Sequence, residues 1–159
     1  MEGSQPMKIL AKTKQHFDGR EEYYNRLPLP SQVKRLGNYL KDNLTGVYKV
    51  QEPPNEYIIY TTILYQVDPE VRKAMKRYQK EFKGIEEDIY EMNIYFNITT
   101  YGGQYIRVNV IQLDEYEATL GFLRLDRLDL MSLPDCKRKI LEYAKKRIEK
   151  KYEGYEVLI

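Results

Sequence analysis

The chain is poor in the residues that build reactive centres: among 159 residues it has one cysteine, Cys136, one histidine, His16, and no tryptophan. A lone cysteine forbids an intramolecular disulfide, and with a lone histidine it supplies too few soft ligands for an ordinary zinc site. Such sparing use of cysteine fits a reducing compartment, so the expected setting is intracellular and soluble, cytoplasmic or nuclear. No run approaches the ~20 apolar residues that a bilayer-spanning helix requires, and Met1 to Asp18 lack the apolar stretch of a secretory signal. An excess of one charge is also missing. Lys and Arg total 26 against 24 Asp and Glu, a net charge of +2, which argues against a chain dedicated to coating DNA.

The motifs of catalysis are equally scarce. No nucleophile stands in a recognisable pattern with a base and an orienting group, and no carboxylates pair at a familiar spacing. Gly102-Gly103 lacks the following helix and lysine of a phosphate loop. His16 falls in an irregular segment and is expected to be exposed. Cys136 falls in the first turn of a predicted helix, where the dipole can activate a thiol. With no histidine near it in sequence, a buried structural thiol is the expectation. No catalytic residue, no metal and no cofactor is therefore assigned, and the chain is not expected to be an enzyme.

What is present is tyrosine, 16 residues against 4 phenylalanines. A buried Tyr needs a partner for its hydroxyl, so many of these rings are expected at the core margin or on the surface, where interfaces use them. Aromatics at 13% separate the chain from disordered sequences despite 31% charged residues. The length suits one domain. Residues 1–26 carry Gly, Ser, Gln and charges without periodicity and read as a flexible or docking N-terminal arm, ahead of a single domain over residues 27–159.

Within that domain, Ser31 is placed to cap a helix over residues 32–44, with Val33, Leu36, Leu40 and Leu44 on one face. Runs over residues 47–51 and 57–67 read as a hairpin around Pro53-Pro54. Apolar residues on both faces of the second run point to a central strand covered partly on each side. Asp68-Pro69 opens a helix reaching to about residue 83, with Val71, Met75, Tyr78 and Phe82 as its apolar stripe.

The most readable stretch is Met92 to Leu113. Met92, Ile94, Phe96 and Ile98 alternate on one face, as do Ile106, Val108 and Val110 in the return strand, and directly opposite residues share a face. A two-residue Gly102-Gly103 loop would set apolar rows against polar ones. A three-residue loop, Gly102-Gly103-Gln104, aligns Ile98 with Val108 and Phe96 with Val110, and Asn97 with Asn109 and Thr99 with Arg107 on the other face. A strand over residues 119–128, a helix from the Ser132 cap to residue 153 and a short strand over 155–159 complete the order. The predicted class is α+β, an antiparallel or mixed sheet of about five to six strands with three helices mainly on one face.

Two surfaces follow. The outward hairpin face presents Asn93, Tyr95, Asn97, Thr99, Tyr105, Arg107 and Asn109, a set able to hold a protein or an unpaired nucleic acid strand. Alternating polar residues are also what any half-solvated strand requires. The second surface is basic: Arg72, Lys73, Lys76 and Arg77 on the middle helix, and Lys137, Arg138, Lys145, Lys146 and Lys150 on the last. Such runs attract phosphate, yet they are also the ordinary solvated side of an amphipathic helix. The expected function is a non-catalytic adaptor or assembly subunit that binds a protein partner or a second copy of itself. It would use the sheet face, an edge strand, or strand addition by the arm or the C-terminal strand. The alternative is a single-stranded RNA or DNA module using Tyr95, Tyr105 and Arg107 with the basic helices.

Overall fold

A computed structural model describes residues 29–78, 89–101, 103–114 and 116–159. The expected arm, His16 included, and the expected end of the middle helix with Phe82 lie outside them. The described residues form three α-helices, a 3-10 turn and a six-stranded antiparallel sheet. The fold is α+β, with the helices against the sheet.

Helix α1 spans Leu29–Asn43, starting three residues before the predicted position. Pro30 occupies its first turn, where a missing N–H removes no helical hydrogen bond, so the helix begins ahead of Ser31 rather than at it. Val33, Leu36 and Leu40 are buried as predicted from their spacing, joined by Leu29, while Leu44 lies just past the helix and is half-buried against the core. Strand β1 (Val47–Gln51) pairs with β2 (Tyr57–Val67) across a loop in which Asn55 takes a positive φ of 65°.

Helix α2 spans Pro69–Tyr78, and the Asp68 carboxylate accepts from Glu70 N–H at 2.9 Å, as an N-terminal cap does. Strands β3 (Ile89–Tyr101), β4 (Tyr105–Leu113) and β5 (Glu117–Leu125) form a meander. Strand β5 begins before Thr119 and stops short of Leu128, which lies 63% exposed in the following turn. There Asp129 Oδ2 accepts from Asp126 N–H at 2.8 Å, and the 3-10 turn Asp129–Met131 diverts the chain out of the sheet. Helix α3 (Leu133–Lys151) follows the Ser132 cap, whose hydroxyl accepts from Asp135 N–H at 3.4 Å. Gly154, at φ 84°, turns the chain into β6 (Tyr155–Leu158).

The sheet order is β1-β2-β3-β4-β5 with β6 also on β2. Because β3 runs along the whole of β2, β1 and β6 share its other edge end to end. The C-terminal strand is thus used within the chain. The second hairpin has the predicted register: Phe96 pairs with Val110, Asn97 with Asn109, Ile98 with Val108 and Thr99 with Arg107, and Tyr101 and Tyr105 close the loop. Gly103 supplies the left-handed position at φ 70°.

One face of the sheet is the core. Ile59, Ile94, Phe96, Ile98, Ile106, Val108 and Val110 are fully buried beneath Leu36 and Leu40 of α1 and Ile140, Ala144 and Ile148 of α3. Burying each such aliphatic or aromatic side chain contributes about 1.5–3 kcal/mol. Helix α1 lies on β2, β3 and β4, and α3 on β5 and β6. The approach of α1 depends on Gly37, since a Cβ there would stand 2.2 Å from the Tyr57 ring. The Tyr57 hydroxyl then donates to Asn38 Oδ1 at 2.9 Å.

Candidate functional site

The other face carries no helix among the described residues. Odd and even residues of a strand point to opposite sides, so burial of Phe96 and Val110 turns Asn93, Tyr95, Asn97, Thr99, Arg107 and Asn109 outward. Tyr105 shares that side: the guanidinium of Arg124, opposite Arg107, lies 4.4 Å from the centre of its ring. All seven predicted face residues therefore fall on one surface. Each is half-buried except Asn93, which is exposed.

Pairing of β2 with β3 adds residues that the hairpin alone does not reveal. Tyr60 sits opposite Tyr95, with ring centres 5.1 Å apart, and Tyr48 of β1 extends the row at 6.1 Å from Tyr60. The row continues through Ile111, opposite Tyr95, to Thr119. Phe122 faces Asn109 and is 43% exposed, and Tyr48 is 54% exposed. Cations of the chain itself lie over these rings: Lys49 Nζ is 5.0 Å from the centre of Tyr60, and the Arg107 guanidinium 3.9 Å from that of Phe122.

The polar groups between the rings bond to one another. Asn109 Nδ2 donates to Asn97 Oδ1 at 3.0 Å, and Asn97 Nδ2 donates to Glu56 Oε1 at 2.8 Å, a relay across three strands' worth of surface. Thr62 donates to Asn93 Oδ1 at 2.9 Å, and the Tyr95 hydroxyl to Glu117 Oε2 at 3.4 Å. Burial, with the neighbouring Glu117 charge, raises the Tyr95 phenol above its usual value, so it stays a neutral donor. Charge is unevenly spread. Arg107 and Arg124 stand at the end near the Gly103 turn, Arg124 tied to Asp126 at 3.0 Å. At the opposite end Glu91, Asp114 and Glu117 are all exposed.

The predicted basic residues lie elsewhere. Cys136, Ile140, Ala144 and Ile148 of α3 point into the core from the helix-covered side, so the charged side of α3 faces away from the sheet, opposite the open face. Its charge is partly neutralised in place: Arg138 pairs with Glu142 at 3.3 Å and Asp135 at 3.6 Å, and Lys145 with Glu149 at 2.7 Å. Lys137 is half-buried, and Lys146 and Lys150 are exposed. The N-terminus of α2 and the C-terminus of α3 come together at Gly154, whose carbonyl accepts from Asp68 N–H at 2.8 Å. There Lys73 is 3.6 Å from Glu70, and Arg72 lies half-buried. Lys76 and Arg77 fall within α2.

The groups considered for chemistry sit in structural roles. Cys136 is fully buried and its thiol donates to the Asp129 carbonyl at 3.0 Å. Burial first, then the Asp129 charge, push it up to about 11, the opposite of an activated thiol. Tyr65 and Tyr155 stack with centres 4.6 Å apart, and Tyr152 stacks on Tyr155 at 4.8 Å. Burial raises both Tyr65 and Tyr155, which keeps them protonated. A cleft of about 500 Å³ adjoins Tyr155, lined also by Asp68, Pro69 and Gly154. Among the described residues no group of three or more His, Cys, Asp or Glu side chains is placed to hold a metal, and no helix is long and apolar enough to cross a membrane.

Tyr48, Lys49, Tyr60, Phe122 and Arg124 escaped the sequence reading. Their alternation is visible in each strand, but which ring meets which depends on β2–β3 and β4–β5 register, fixed by the assembled core. No family model, curated protein or solved structure matches the chain.

Proposed function

We propose that this protein is a non-catalytic binding subunit that holds a protein partner on the open face of its sheet. The observation that carries the reading is the tyrosine row Tyr48–Tyr60–Tyr95, flanked by the buried Ile111, on a face that no described helix covers. Large, rigid rings give contact area at low entropic cost, and tyrosine and arginine concentrate where protein interfaces are most desolvated. The hydrogen bonds that Asn97 and Asn109 make within the face lessen the cost of covering them with a partner.

The test is recovery of the tagged full chain from its native cell, wild type beside Tyr60→Asp and Tyr95→Asp. Both substitutions point away from the core, so circular dichroism is expected to be unchanged while a specific partner is retained roughly thirtyfold less. Unchanged co-recovery of the same partner by both variants would overturn the reading.

Single-strand nucleic acid binding is the second reading, favoured by the same rings beside Lys49 and Arg107, since base stacking is tolerant of sequence. Two placements weigh against it. The exposed carboxylates of Glu91 and Glu117 share the face, and the basic side of α3 is on the opposite surface of the molecule. Tight binding of an oligonucleotide with a steep salt dependence, lost in Tyr95→Ala and Arg107→Ala, would replace the first reading with this one.

A further inference from the structure

Resting on that reading, we infer that the partner presents an amphipathic, lysine- or arginine-bearing segment to the acidic end of the open face. The end is a composite of four strands, β2 to β5. Tyr95 and Ile111 lie opposite each other in the aromatic row; one step further along, Asn93 pairs with Leu113 and Leu113 with Glu117. Leu64 of β2 pairs with Glu91 at the far rim. The result is a strip of half-buried Tyr95, Leu113 and Leu64 beside the buried Ile111, crossed by Asn93 and bounded by the exposed carboxylates of Glu91, Asp114 and Glu117.

Two independent features select a cation. First, the chain's own cations already lie on rings of this face, Lys49 over Tyr60 at 5.0 Å and Arg107 over Phe122 at 3.9 Å, so the π-faces are presented in an orientation that receives them. Tyr95 belongs to the same row, one strand nearer the carboxylates. Second, Arg107 and Arg124 stand at the other end of the strands, about 20 Å away at ~3.4 Å per residue. Among the described residues, Arg107 and Arg124 thus stand more than a Debye length of about 8–10 Å from the three carboxylates. An acidic segment or a phosphate backbone would meet like charge there. An apolar stripe flanked by lysines or arginines matches both the strip and its rim, in the manner of an amphipathic helix laid on an apolar surface.

The experiment titrates the isotope-labelled full chain with a short amphipathic peptide of leucine and lysine, its leucine and glutamate counterpart, and a single-stranded oligonucleotide, following backbone amide shifts. The Leu/Lys peptide is expected to shift the amides of Asn93, Tyr95, Leu113 and Glu117. Its affinity should fall about tenfold in Glu91→Gln/Glu117→Gln, whose side chains are exposed and whose fold is expected to be intact. Tyr95→Leu, which keeps an apolar side chain and removes the π-face, should cost about threefold or more. Equal binding of the Leu/Glu peptide at the same amides, or indifference to the double variant, would overturn the cationic partner while leaving the open face as the docking surface. Shifts confined to α3, with either peptide or the oligonucleotide, would overturn both. A Leu/Lys peptide that shifts nothing also overturns the inference, and the Tyr60→Asp and Tyr95→Asp recovery then decides the fate of the face by itself.

Discussion

Along β3 the side chains of Met92, Ile94, Phe96 and Ile98 are at most 6% exposed, whereas Asn93, Tyr95, Asn97 and Thr99, each one residue away, are exposed or half-buried. The two sets share a backbone and a register, and differ in what lies above them. On the core side α1 and α3 remove water, so shape and volume decide the residue. On the open side water remains, and polar groups persist because they can bond to it or to each other. The open face still differs from an ordinary solvated one: its amides are engaged in a relay, and its rings lie against one another or under cations. Stability therefore resides on one face and recognition is proposed for the other.

The sharpest way to break this comparison is to truncate neighbours. Phe96→Ala is expected to lower unfolding free energy by about 3–5 kcal/mol in urea denaturation, since a buried aromatic leaves a cavity. Tyr95→Ala should lower it by less than about 1 kcal/mol, because the site stays wet. Similar losses at the two positions would mean that the faces are not distinct. Next in size, Gly37→Ala brings a methyl into the Tyr57 ring, 2.2 Å from its nearest carbon. Displacing α1 should cost about 1–3 kcal/mol, more than the ~1 kcal/mol gained in helix propensity. A stabilised Gly37→Ala, read from thermal unfolding, would show that α1 has room above β2.

Asn97→Ala probes the open side more finely. It removes the middle of the Glu56–Asn97–Asn109 relay, and each hydrogen bond is worth about 1 kcal/mol net where partly buried. A loss of about 1–2 kcal/mol in urea, with unchanged α1 packing, is expected. The smallest effect is local and depends on pH. Glu149 Oε2 accepts from Val157 N–H at 2.8 Å and from Lys145 Nζ at 2.7 Å, fastening β6 to α3. Burial opposes its ionisation, but these bonds and the Lys145 charge outweigh that and hold the carboxyl below its ordinary 4.5. A depressed carboxyl contributes stability in full above its unfolded value and loses it as pH falls through the folded one. The protection of the Val157 amide, its exchange rate relative to the intrinsic rate at the same pH, should therefore fall below about pH 4.5 in wild type, whereas Glu149→Gln should exchange a few-fold faster already at neutral pH, about 0.5–1 kcal/mol after solvent screening. Equal exchange in the two proteins at neutral pH would remove the clamp.

Much of the second hairpin was legible because its information is local. Three loop residues and a period of two allow one register that pairs apolar with apolar, and Phe96 opposite Val110 follows. The helix boundary was less legible at Leu29, because a proline in the opening turn hides the true start. The strand over Thr119 to Leu128 was displaced because its end is set by Asp129 bonding back to Asp126, a contact that hydrophobic periodicity does not encode. The candidate site was half legible. Tyr95 and Arg107 could be assigned outward from their own strands, but Tyr60 and Phe122 could not be placed beside them.

The sequence alone determined the element types, the inward and outward parity of the second hairpin and the absence of familiar catalytic motifs, since these depend on residue identity and short-range spacing. Tertiary structure decided that β1 and β6 share one edge of β2, that Tyr48, Tyr60 and Tyr95 form one row, and that the basic side of α3 lies across the molecule from them. Those relations join residues far apart in the chain, and what fixes them is the burial of a single apolar face beneath two helices, a free energy spread over the whole core.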